Sequence, residues 1–156
     1  MSYRIEGLAA ERFAGLAGQS DAALAERGAI RVTADSERGF PCRVSLDFAA
    51  PGESVLLLNH VSQDAPTPYR TAYAIFVREQ AREAPLFVDR LPPVLQDRML
   101  SLRAFDGAGM LRRALLAEPG EAEARIAELF EDADAASIHA HSPAYGCFLA
   151  RIERNR

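Results

Sequence analysis

Residues 137–147 read SIHAHSPAYGC, two histidines two apart, then a turn, then a cysteine. In a strand, successive side chains alternate between faces. His139 and His141 therefore share one face, and Ile138 and Ala140 share the other. The five residues Ser142 to Gly146 suit a hairpin loop, which sets His141 opposite Cys147 and His139 opposite Leu149. On that register Ile138, Ala140, Phe148, Ala150 and Ile152 form a wholly apolar core face. His139, His141, Cys147, Leu149 and Arg151 form the second face, which must meet solvent, a pocket or an interface. A slip of one residue would spoil this agreement, so the apolar face supports the register.

Three chemistries fit the second face. A strand His-x-His presents two imidazoles side by side, as zinc and iron sites use them, with Cys147 as a third ligand. The fourth ligand is unspecified: Cys42 lies in phase with apolar residues, while His60 and Asp106 have no diagnostic spacing. The second chemistry is anion binding. Arg43, Arg70, Arg103 and Arg151 fall at or near strand ends, and the planar guanidinium fork suits carboxylate or phosphate. His139 and His141 beside such a fork would donate hydrogen bonds or move protons. The third is a thiolate–imidazolium pair between Cys147 and His141. The catalytic candidates are thus His139, His141 and Cys147, and the ligand-binding candidates are the four arginines. A small anionic molecule is the first expectation. A zinc or iron site on His139, His141 and Cys147 is the alternative, and a homo-oligomer interface on the same face is a non-catalytic third.

Composition removes other classes. The 156-residue chain carries a net charge of −4 and a hydrophobic fraction of 49%, which argues for a packed core and against nucleic acid or an anionic membrane as partner. All 18 basic residues are arginines, so Schiff-base chemistry through lysine is excluded. The start, MSYRIEGLAAERF, is charged from its fourth residue, and no run of about 18 apolar residues exists to cross a bilayer. A cytoplasmic location with two reduced cysteines is the expectation. There is no Gly-x-Ser-x-Gly, and Asp106-Gly107-Ala108-Gly109 lacks the spacing of a phosphate loop.

The elements that must position these residues follow from periodicity. Tyr3 to Leu8 reads as a strand, then a helix carries Phe13, Leu16 and Ala17. Ser20 or Asp21 caps a second helix that Gly28 ends. Ile30 to Ala34 is a strand. CRVSLDF alternates strictly, so a strand is expected with Cys42, Val44, Leu46 and Phe48 on one face and Arg43, Ser45 and Asp47 on the other. Val55 to Leu58 reads as a central strand covered on both faces. Residues 62–70 form a loop, in which Tyr69 is expected to anchor a turn, and Tyr73 to Val77 is a strand. Pro92 and Pro93 open a helix carrying Val94, Leu95 and Met99. Two strands flank Asp106-Gly107. Ala122, Ile126, Leu129, Phe130 and Ala133 mark an amphipathic helix, and the C-terminal β-hairpin closes the chain. The sum is one α+β domain over 1–156, a mostly antiparallel sheet with helices packed on it.

Five segments, GFPCRVSL, PGESVLLLNH, TPYRTAYAIFVRE, LSLRAFDGAGM and IHAHSPAYGCFLARIER, together resemble a bacterial family called domain of unknown function 1203. The resemblance runs from the first strand to the last. It implies a small, single-domain bacterial protein and transfers no catalytic residue. Where relatives tend to carry histidine-asparagine, this chain has His141-Ser142-Pro143, which removes an amide side chain from position 142.

Overall fold

A computed structural model describes residues 1–156. Nine strands form two antiparallel sheets. The larger contains β1 (Tyr3–Glu6), β5 (Leu86–Val88), β6 (Leu100–Phe105), β7 (Leu111–Ala117), β8 (Ser137–His141) and β9 (Phe148–Arg154), in the order β5-β1-β9-β8-β6-β7. The smaller contains β2 (Ile30–Thr33), β3 (Ser54–Gln63) and β4 (Thr71–Arg78), with β3 central. The α+β class and the C-terminal β8–β9 hairpin agree with the sequence reading. No helix is long and apolar enough to cross a membrane.

One face of the larger sheet is apolar. Ile5, Leu100, Leu102, Ala104, Ile138, Ala140, Ala150 and Ile152 pack there against Ala122, Ile126 and Leu129 of helix α2 (Ala122–Leu129). This is the main core, and the amphipathic spacing of α2 explains its docking. A second core lies on the smaller sheet, where Leu56, Leu58, Ile75 and Val77 meet Phe13, Leu16 and Leu24. Leu24 belongs to helix α1 (Asp21–Glu26), whose Ser20 side chain accepts a hydrogen bond from the Ala23 amide as an N-cap. Val55 is buried on the opposite face of β3, so that strand is covered on both sides.

Three expected elements differ. Residues 42–48 are not a strand: the Cys42 amide donates to the Asp47 carbonyl and the Leu46 amide to the Cys42 carbonyl, with Leu46 at φ 56°. The chain folds on itself and drops Cys42 and Val44 into one core and Leu46 into the other. The strict alternation thus records a buried plug between two sheets. The helix expected after Pro92 is a single 3-10 turn, Pro93–Leu95, because Gln96 is extended and Asp97 adopts φ 52°; Val94 and Leu95 are buried but Met99 is exposed. The helix expected around Phe13 shrinks to a 3-10 turn at Ala10–Arg12 followed by turns, although Phe13 and Leu16 are still buried.

Candidate functional site

Both histidines lie on the non-core face of β8, as alternation requires, and both are 1% exposed. They are covered because the smaller sheet folds over this face. His60 and Tyr73, paired across β3 and β4, reach the histidine face from the smaller sheet. The Tyr73 ring meets His141 edge-on at 5.1 Å between centroids, and His60 lies 5.7 Å from Phe148. Phe105 stands 4.7 Å from His139, and His139 and His141 stack at 6.3 Å. All three histidines of the chain therefore gather in one aromatic layer between the sheets.

The hairpin register departs from expectation along its length: His139 opposes Arg151 and not Leu149, a shift of two that keeps the faces, and His141 opposes Phe148 and not Cys147, a shift of one that does not. Pairing runs His139↔Arg151 and Ala140↔Ala150, then shifts to His141↔Phe148. Leu149 is the extra residue of this bulge, and a bulge reverses side-chain phase. Leu149 consequently enters the main core, while Phe148 turns to the histidines at 5.6 and 5.9 Å. The sequence reading had placed these two the other way round. Cys147 is displaced into the loop and does not oppose His141. No group of three His, Cys, Asp or Glu side chains is arranged to hold a metal ion.

The four arginines divide. Arg103 is the cross-strand partner of His139, so both point to the same face. Its Nε donates to Ser101 Oγ at 3.2 Å and its Nη1 to the Tyr73 hydroxyl at 3.1 Å. Arg70 sits at the rim, with Nη1 donating to the Asp64 carbonyl at 2.6 Å. Neither has a carboxylate partner. Arg43 is elsewhere: 4% exposed, it donates from Nε to the Phe148 carbonyl at 2.8 Å and from Nη1 to the Pro41 carbonyl at 2.6 Å. Burial without a counter-charge pulls its pKa down to about 10. Arg43 is therefore a tie between the buried plug and the bulge. Arg151 turns its guanidinium to Glu153 at 2.9 Å and lines a different hollow with Arg4 and Arg12.

Arg70, Arg103, His139 and His141 surround a cleft of about 370 Å³. Tyr69, Tyr73, Phe105 and Leu111 complete its walls. The loop above it is fastened, since Thr67 Oγ1 donates to the Gly109 carbonyl at 3.2 Å. Gly109, at φ +86°, is required there: a Cβ would stand 2.4 Å from the Ala65 Cβ. Larger hollows of about 510 and 610 Å³ lie elsewhere, and neither contains a histidine.

Electrostatics make the imidazoles neutral near pH 7. Burial, reinforced by the charges of Arg151 and Arg103, takes His139 down to about 3. Burial takes His141 down to about 4, against an opposing hydrogen bond to Gly146. That bond, 2.9 Å from Nδ1 to the Gly146 carbonyl, places the proton on Nδ1 and leaves the Nε2 lone pair as a base. His139 is different: neither ring nitrogen has a hydrogen-bond partner. Buried polar groups are normally paired, and an orphan costs about 1–3 kcal/mol. Tyr73 and Phe105 carry no chemical motif and are not among the sequence candidates, and Phe148 is expected in the core; the even spacing of Tyr73 from Ile75 and Val77 is the available signal.

No curated protein and no solved structure matches the chain. One family model does, that of a protein of unknown function (DUF1203), and it matches residues 39–154. That span contains every strand that builds the cleft, and by it the chain belongs to the DUF1203 family.

Proposed function

We propose that the protein binds a small organic anion in the cleft between its two sheets. The observation that carries this reading is a cleft lined by two guanidiniums that have no carboxylate and by the His139 imidazole, buried with both nitrogens unpartnered. A site that holds two uncompensated cations over neutral imidazoles is complementary to one negative charge with a polar neighbour. The apolar walls add a hydrophobic body to the ligand. Arg103, held in plane by Ser101 and Tyr73, is preorganised for a carboxylate, and Arg70 closes the rim.

Thermal melting and calorimetric titration with phenylacetate, benzoate and inorganic phosphate test the reading. Saturable stabilisation by an organic anion is expected, weakened about tenfold, roughly 1.4 kcal/mol, by Arg103→Gln and unchanged by Arg151→Gln. Absence of saturation by all three anions, with a melting temperature that rises with protein concentration alone, would point to an interface between copies and overturn the proposal.

A further inference from the structure

Arg103 and His141 meet at one side of the cleft. Ser101 is the cross-strand partner of His141, and Arg103 donates from Nε to Ser101 Oγ, which draws its guanidinium toward that pair. Its Nη1 donates to the Tyr73 hydroxyl, and the Tyr73 ring meets His141 edge-on at 5.1 Å. Both anchors of the guanidinium are thus neighbours of His141. The imidazole is itself oriented, since Nδ1–H donates to the Gly146 carbonyl at 2.9 Å, and this leaves Nε2 as a bare lone pair. The sealed, unpartnered side-chain atoms of the chain are Ser62 Oγ and both nitrogens of His139. Nε2 of His141 has no partner in the protein either, but it is not sealed, and it opens to the cleft that His141 lines.

The charged and titratable groups around this ring are Arg103 from β6, Tyr73 from β4, His139 from β8 itself, His60 from β3 in the same aromatic layer, and Arg70 and Tyr69 at the rim. None is a carboxylate. Burial and the Arg103 cation keep His141 unprotonated. An anion reverses that balance. A carboxylate drawn to the free N–H donors of Arg103 brings an oxygen lone pair toward the Nε2 lone pair, and two acceptors in contact repel. A proton between them turns the repulsion into a charge-assisted hydrogen bond, and the negative charge raises the proton affinity of the imidazole.

We infer that the cleft takes up its carboxylate together with one proton, shared between the ligand and His141 Nε2. This deepens the anion-binding reading and rests on it. One carboxylate and one proton enter and nothing leaves, so the pair adds no net charge to a layer in which His141 is 1% exposed. Affinity then rises as pH falls. An anion held by arginines alone would show no such rise, because guanidiniums do not titrate near neutral pH.

Calorimetric titration with benzoate, which is ionised throughout, at pH 6, 7 and 8 in two buffers of different ionisation enthalpy counts the protons. Affinity is expected to rise about tenfold from pH 8 to pH 6, with roughly half a proton or more taken up per benzoate bound at pH 6. In His141→Gln the amide supplies a permanent N–H in place of the titrating nitrogen, so the pH dependence should fall below about twofold. If the glutamine variant does not fold, the ¹⁵N shifts of the His141 ring in the wild-type protein, with and without benzoate at pH 6, report the same event as a change from a bare to a protonated Nε2. Affinity that varies less than about twofold across the range, with no proton uptake, overturns the inference and leaves anion binding standing. A tenfold rise that persists in His141→Gln also overturns it, because another group then takes the proton. If benzoate, phenylacetate and inorganic phosphate all fail to bind at pH 6, the reading beneath it falls as well.

Discussion

His139 is an expensive residue. A neutral imidazole among Phe105, Phe148 and His141, with neither nitrogen paired, is less stable than an apolar side chain of similar volume in the same place. His139→Leu is therefore expected to stabilise the fold by about 1–2 kcal/mol, the cost of an unsatisfied buried polar group. In a chain of this length that raises the melting temperature by roughly 2–8 °C. Differential scanning calorimetry in the absence of ligand measures it. A lower melting temperature would mean that the imidazole is a packing residue with a hidden partner and not a group kept for binding. A gain in stability bought with a loss of binding is the pattern of a functional site.

At the level of elements, the site depends on one bulge. Without the extra residue at Leu149, Phe148 would lie in the main core and the histidines would lose their aromatic roof. Arg43 holds this irregularity in place by donating to the carbonyl of Phe148 from the plug at residues 42–48. Arg43→Met keeps much of the apolar stem and deletes two charge-assisted hydrogen bonds, leaving the Phe148 and Pro41 carbonyls without their donor. A loss of about 2–4 kcal/mol is expected from urea unfolding, larger than for an exposed arginine. The same elements show what the sequence conveyed. Alternation in β8 put His139 and His141 on a common face, and the spacing in 122–130 located α2, because periodic burial leaves a periodic trace. The bulge leaves none, since Phe148 and Leu149 are both apolar and either could face the core. CRVSLDF misled for a related reason: alternate burial into two different cores imitates alternate burial on one sheet face. β5 is three residues long and follows Pro85, too short for any period to register.

The whole molecule is two sheets joined through a titratable layer, and this sets its response to acid. The unfolded chain protonates its histidines near 6.5, whereas in the folded state His139 is held down to about 3, His141 to about 4, and His60 is also lowered, all chiefly by burial. Between those values the unfolded state binds more protons. The stabilisation is complete above pH 6.5 and is lost as pH falls toward 4, by up to about 1.4 kcal/mol per pH unit for each histidine. Carboxylates with lowered pKa, such as Glu79 held to about 2 by Arg31, add their own loss only at lower pH, below about 4.5. Unfolding free energy measured from pH 7 to pH 5 should therefore fall steeply, and the slope should drop in His139→Gln. A flat profile over that interval would show that the inter-sheet histidines are solvated.

The hydrogen bond from Arg103 to the Tyr73 hydroxyl also gives the cleft an optical signature. The chain has four tyrosines and no tryptophan, so its ultraviolet emission is tyrosine emission alone. Two of the four, Tyr69 and Tyr73, line the cleft, Tyr3 is buried against the main core and Tyr145 stands almost fully exposed at the hairpin tip. On the proposed anion-binding reading, a carboxylate at Arg103 would disturb the phenol that the guanidinium already holds, and would do so without the background of an indole. Titration of the unlabelled protein with an organic anion, followed by its intrinsic fluorescence, is then expected to report occupancy of the cleft.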